Sequence, residues 1–87
     1  VIFPNPVLTG TVVLLPQAHN SAEDVTVCIY TAGYKLVARK NFYGVLPGQL
    51  VQVALVDNWG QSLGNGVYYV VVMVGQDRKT TTLVLAR

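Results

Sequence analysis

The apolar residues of this chain fall in short runs that alternate with polar ones, the pattern of half-buried β-strands. Val25, Val27 and Ile29 alternate with Thr26, Cys28 and Tyr30, and Val51, Val53 and Leu55 are spaced in the same way. Successive side chains of a strand point to opposite faces, so each set shares one face. With Leu83 and Leu85, these residues are the expected inner walls of two packed sheets. Val67–Val74 is apolar at nearly every position, which predicts a central strand covered on both sides. No window carries a convincing 3.6-residue apolar period, so no helix is expected.

Turn residues divide the runs. Pro4-Asn5-Pro6 ends a short extended entry at Val1–Phe3, because two prolines around one residue forbid helix and hold the backbone extended. Thr11–Leu15 reads as the next strand, closed by Pro16, and Gln17–Asp24 reads as an exposed polar loop. Thr31-Ala32-Gly33 turns the chain from the Val25–Tyr30 strand into Lys35–Phe42, and Leu46-Pro47-Gly48 precedes Val51–Leu55. After a loop over Asp57–Gly66 come Val67–Val74, a tip at Gly75-Gln76-Asp77 and Thr80–Leu85, expected to return antiparallel. The whole predicts an all-β fold, an immunoglobulin-like or fibronectin-like antiparallel β-sandwich of about seven strands.

Composition sharpens this. The chain has 87 residues, 52% of them hydrophobic and 11% charged. A chain this short buries only roughly 60–65% of its unfolded surface, so a high apolar fraction is what lets one core hold it. Residues 1–87 are expected to be a single domain. The start at Val1, with no leader pattern, suggests a piece cut from a larger protein, from its C-terminal end. The net charge of +2 comes from scattered cations rather than a basic stripe, which argues against nucleic acid. The longest apolar run stops at Gly75, far short of the roughly 18–20 residues a membrane-spanning helix needs.

No constellation of side chains points to catalysis, and the expectation is that the chain is not an enzyme and holds no cofactor or metal. His19 is the one histidine, in a polar loop, and with one distant Cys28 it cannot make a zinc site. Cys28 lies among apolar residues on the face opposite the core set, as a shielded or half-exposed structural thiol. Glu23 and Asp24 are adjacent and diverge, while Asp57 and Asp77 fall in expected turns, so no carboxyl pair converges on a cleft. Gly60, Gly64 and Gly66 lead into a strand rather than a helix, which excludes a phosphate loop. Ser21 and Ser62 have no paired base. Trp59 and Tyr43, in or beside loops, could stack on a sugar ring.

Asp57-Asn58-Trp59-Gly60, then Leu63, then Asn65-Gly66-Val67-Tyr68-Tyr69, resembles the motif D-x-x-G-x-x-L-x-N/S-G-V-Y-Y/F. That motif marks the immunoglobulin-like domain first named from the flagellar hook-capping protein FlgD. Phe3-Pro4-Asn5-Pro6 resembles the family's Y-P-N-P start, and Ile29-Tyr30-Thr31 with Leu36-Val37 its first hairpin. Leu83-Val84-Leu85-Ala86-Arg87 is similar to its K-x-V-L-x-R ending. The motif residues are Pro4, Asn5, Pro6, Asp57, Gly60, Asn65, Gly66 and Tyr68, all expected to be structural. Two departures favour the variants that end long exported proteins over the hook-cap members. Val53-Ala54-Leu55 stands where hook-cap members carry W-D-G, and Tyr34 stands about where the family glycine falls, with Gly33 one place early.

The resemblance implies a non-catalytic C-terminal module of an exported bacterial protein, located outside the cell or on its surface. In Bacteroidetes-like bacteria, similar domains direct passage through the type IX secretion system and attachment to the cell surface; elsewhere they cap the parent chain. The implied partners are other domains of the parent polypeptide, secretion machinery or cell-surface components. The alternative is an assembly or binding module, either a flagellar hook-cap domain or an adhesive, carbohydrate-binding sandwich.

Overall fold

A computed structural model describes residues 2–3 and 10–86. They form β1 (Ile2–Phe3), β2 (Thr11–Leu14), β3 (Glu23–Thr31), β4 (Leu36–Val45), β5 (Val51–Ala54), β6 (Gly66–Val74) and β7 (Asp77–Leu85). All pairings are antiparallel, in a three-stranded sheet ordered β1-β2-β5 and a four-stranded sheet ordered β4-β3-β6-β7. This is the immunoglobulin-like sandwich in its fibronectin-like form, with β4 hydrogen-bonded to β3 rather than to β5. Pro4, Asn5, Pro6 and Arg87 lie outside the described residues.

The alternating runs become the facing walls. Val25, Val27, Ile29, Val51, Val53, Leu55, Leu83 and Leu85 are all buried, joined in one cluster by Val12, Leu14 and the inward residues Val70, Val72 and Val74 of β6. β6 runs between β3 and β7, as its apolar sequence predicts. Its other face explains that composition, because Val71 is buried there too, paired across the sheet with Cys28. Cys28 is 4% exposed, so of the two expectations, shielded or half-exposed, the structure selects the shielded thiol. A hydroxyl in that apolar setting would lack a good partner. Cys28→Ser should therefore lower stability by about 1–2 kcal/mol, against little change for Cys28→Ala, measured by urea denaturation.

Several boundaries differ from those the sequence suggests. β3 begins at Glu23 and β4 runs on to Val45, while β5 ends at Ala54. β7 begins at Asp77, leaving Gly75-Gln76 as a two-residue tip. The longer β4 rests on two irregularities in its pairing with β3. At one of them Ile29 pairs with Ala38 and Tyr30 with Leu36, so Val37 is the extra residue. Val37 packs against the core beside buried Ala38, and Leu36 is left on the outer face with Tyr30, largely exposed. One inserted residue thus reverses the face that simple alternation assigns, which is what a bulge does. β4 is also an edge strand, and the outward N–H of Arg39 donates to Asn58 Oδ1 at 3.0 Å. That bond occupies one of the donors through which a foreign strand could pair.

Candidate functional site

The densest motif region, residues 57–68, is built as a scaffold. Asp57 Oδ1 accepts the N–H groups of Trp59 and Gln61, both at 2.9 Å, and the Asp57 N–H donates to Gln61 O at 2.8 Å. The Gly60 N–H closes the turn on Asp57 O at 3.1 Å, with Gly60 at φ 83, where a residue with a β-carbon is strained. Here the carboxylate of the D-x-x-G motif does the work of a turn, in the way short acidic side chains cap their own backbone. Asp57→Ala should cost about 1–2 kcal/mol, and Asp57→Asn less, because the amide keeps an accepting oxygen. Chemical denaturation of both variants checks the order.

Beyond the turn, Val56 bridges Ser62, and the Leu63 N–H donates to Leu55 O at 3.1 Å, which buries Leu63 in the core. The chain enters β6 through Gly66 at φ 152, on the positive side that side chains disfavour, with no atom near enough to obstruct a β-carbon. Gly66→Val should therefore cost about 1–3 kcal/mol by backbone strain alone, read as a fall in the denaturation midpoint. Two residues on, the Tyr68 hydroxyl donates to Gly64 O at 2.6 Å. A tyrosine at the start of this strand bonded to backbone a few residues upstream is the corner device of such sandwiches. Which tyrosine would serve could not be read from the sequence, since Tyr68 and Tyr69 are adjacent and point to opposite faces.

Tyr69 has a different partner. Its ring stacks on Tyr34, centroids 4.8 Å apart and planes 4° from parallel. Tyr34 sits at φ 64, the only non-glycine residue with positive φ among those described. The β3–β4 hairpin holds it there, with the Tyr34 N–H on Thr31 O at 2.8 Å and the Thr31 N–H on Lys35 O at 2.9 Å. The position where the resemblance expects glycine thus needs glycine-like geometry, and a tyrosine occupies it. Left-handed backbone costs about 1–2 kcal/mol, and an aromatic pair returns about 0.5–1.5 kcal/mol. Tyr34→Gly should accordingly leave the melting temperature nearly unchanged, whereas Tyr34→Val, β-branched and without a ring, should lower it clearly.

The remaining candidates are dispersed. Asp24 Oδ1 accepts the Gly44 N–H at 3.1 Å, and Trp59 and Tyr43 are both strongly exposed. His19 departs from expectation. It is not a free loop side chain but partly buried, with Nδ1 3.1 Å from Gln17 O and Nε2 3.0 Å from Val45 O. The hydrogen bonds to Gln17 and then Val45 push its pKa above the ordinary 6.5, with a smaller push from the Glu23 charge and partial burial opposing.

No protein-family model matches the sequence, and no curated protein matches it. Among solved structures, dimeric latent PorU from Porphyromonas gingivalis is similar, with a TM-score of 0.68 and 21% sequence identity. The likeness is one of fold. It covers 99% of this chain and 9% of the PorU chain, so this sandwich corresponds to a small part of a much longer polypeptide.

Proposed function

We propose that this chain is a non-catalytic immunoglobulin-like module of an exported bacterial protein, of the FlgD-like kind, serving sorting and surface attachment or structural capping. The observation that carries the reading is the segment from Asp57 to Tyr68. Its motif side chains Asp57 and Tyr68 are engaged by the chain's own backbone, as expected of a motif that specifies a fold rather than a reaction. The fold likeness over nearly the whole chain to a 9% stretch of PorU supports a module carried within a longer polypeptide. Sorting through the type IX secretion system is the finer form of the proposal.

Fusing residues 1–87 to an exported reporter, in a bacterium that has the type IX system, tests it. Surface display that needs the module supports sorting. Display that is equal without it leaves the capping role.

The second reading is adhesion, favoured by Trp59. The residue is 84% exposed while its backbone N–H is held by the Asp57 turn. A shift of tryptophan emission on titration with oligosaccharides, lost in Trp59→Ala, would favour it.

A further inference from the structure

The contacts of His19 impose a condition that a neutral ring cannot meet. Both ring nitrogens face main-chain carbonyl oxygens, Gln17 O at 3.1 Å and Val45 O at 3.0 Å. A carbonyl oxygen only accepts. A neutral imidazole has a single N–H and a lone pair on the other nitrogen, so one contact would set two lone pairs against each other. The imidazolium carries two N–H groups and satisfies both.

The ring also occupies a strategic place. Residues 15–22 carry the chain from the three-stranded sheet to the four-stranded one, between β2 and β3. Two side chains tie this crossover to the four-stranded sheet. Gln17 Nε2 donates to Val72 O at 3.3 Å on β6, and His19 reaches the end of β4. Just before His19, residues 15–18 of the crossover line a groove of about 230 Å³ together with Val72, Lys79 and Thr81.

We propose that His19 is a protonation latch: as imidazolium it fastens the crossover between the two sheets to the end of β4, and its deprotonation releases the crossover. Glu23 at the head of β3 is the charged group whose field reaches the ring, and it favours the cation. β4 and its continuation contribute the Val45 and Leu46 carbonyls, and Lys79 of β7 stands across the groove from the crossover. A group whose folded pKa exceeds its unfolded value stabilises the fold fully below the unfolded value, here about pH 6.5. The contribution is then lost as the pH climbs through the folded value. The latch is closed in mildly acidic surroundings and opens toward alkaline ones, loosening one wall of the groove while the sandwich core stays intact.

The experiment is a side-chain nitrogen NMR titration of His19 in the 87-residue chain, joined to hydrogen exchange of residues 15–22 corrected for intrinsic rates. The latch requires imidazolium shifts at both nitrogens persisting above pH 6.5, and a severalfold loss of crossover protection as the ring titrates. His19→Gln should exchange quickly at every pH and show no such midpoint. A native midpoint at or below 6.5 overturns the proposal, as does an equal pH dependence in His19→Gln. If His19→Gln does not fold, the titration of the native chain decides alone.

Discussion

A chain ending at Gln76 is expected to show no cooperative unfolding transition by heat or urea. That truncation removes the whole of β7, which pairs with β6 along its full length from Val74↔Asp77 to Gly66↔Leu85. It also removes Leu83 and Leu85, which are 0% and 1% exposed. The loss of two fully buried leucines alone is worth several kcal/mol, at about 1.5–3 kcal/mol for each side chain taken out of water. A domain of this size has on the order of 5–10 kcal/mol in total, toward the low end of the general range. The most apolar strand would become an uncovered edge, so aggregation should accompany the loss of structure. Circular dichroism and size-exclusion chromatography read both effects. A truncated chain that stayed monomeric and melted cooperatively would show that β7 is an accessory rather than a wall of the core.

Ile29→Ala and Leu55→Ala should each destabilise the domain by about 2–5 kcal/mol. Both side chains are 0% exposed and belong to one cluster, Ile29 on β3 of the four-stranded sheet and Leu55 just past the end of β5 in the other. Each substitution removes apolar contacts and leaves a void that surrounding valines cannot fill without moving both sheets. Val84→Ala is the matched control. Val84 is next to Leu83 and Leu85 in sequence but points to the opposite face, 36% exposed, so its truncation should change stability by less than about 0.5 kcal/mol. Urea midpoints for the three variants test the register directly, because a slip of one residue would exchange the large effects with the small one.

The all-β class, the inward residues of β3, β5 and β7 and the central place of β6 were legible in the sequence. They follow from alternation along a single strand, a local property that each short segment carries by itself. The scaffold of the Asp57 turn was partly legible, since an acid and a glycine at that spacing mark a turn, though nothing showed that the carboxylate would accept two backbone donors. Two features of the sheets could not be read from the sequence. Val37 and Ala38 share the inner side because β4 is paired to β3 through a bulge, and pairing belongs to two strands, not one. The choice between a shielded and a half-exposed Cys28 thiol was made by Val71, from a strand far along the chain, which lies across from it.

His19 shows the division most clearly. Its polar neighbours in sequence suggest a loop histidine in water, and its residue type permits charge near neutral pH. Whether that charge is favoured depends first on the nearby Gln17 carbonyl and then on the Val45 carbonyl, 26 positions away in the chain and brought to 3.0 Å only by folding. Alternation of side chains along a strand is set by bond geometry within a few residues, and so the sequence determined which faces are apolar. The tertiary structure decided that the Val45 carbonyl meets His19 and that the Asn58 side chain meets the Arg39 N–H, because those partners, 26 and 19 positions away, become neighbours only in the folded chain.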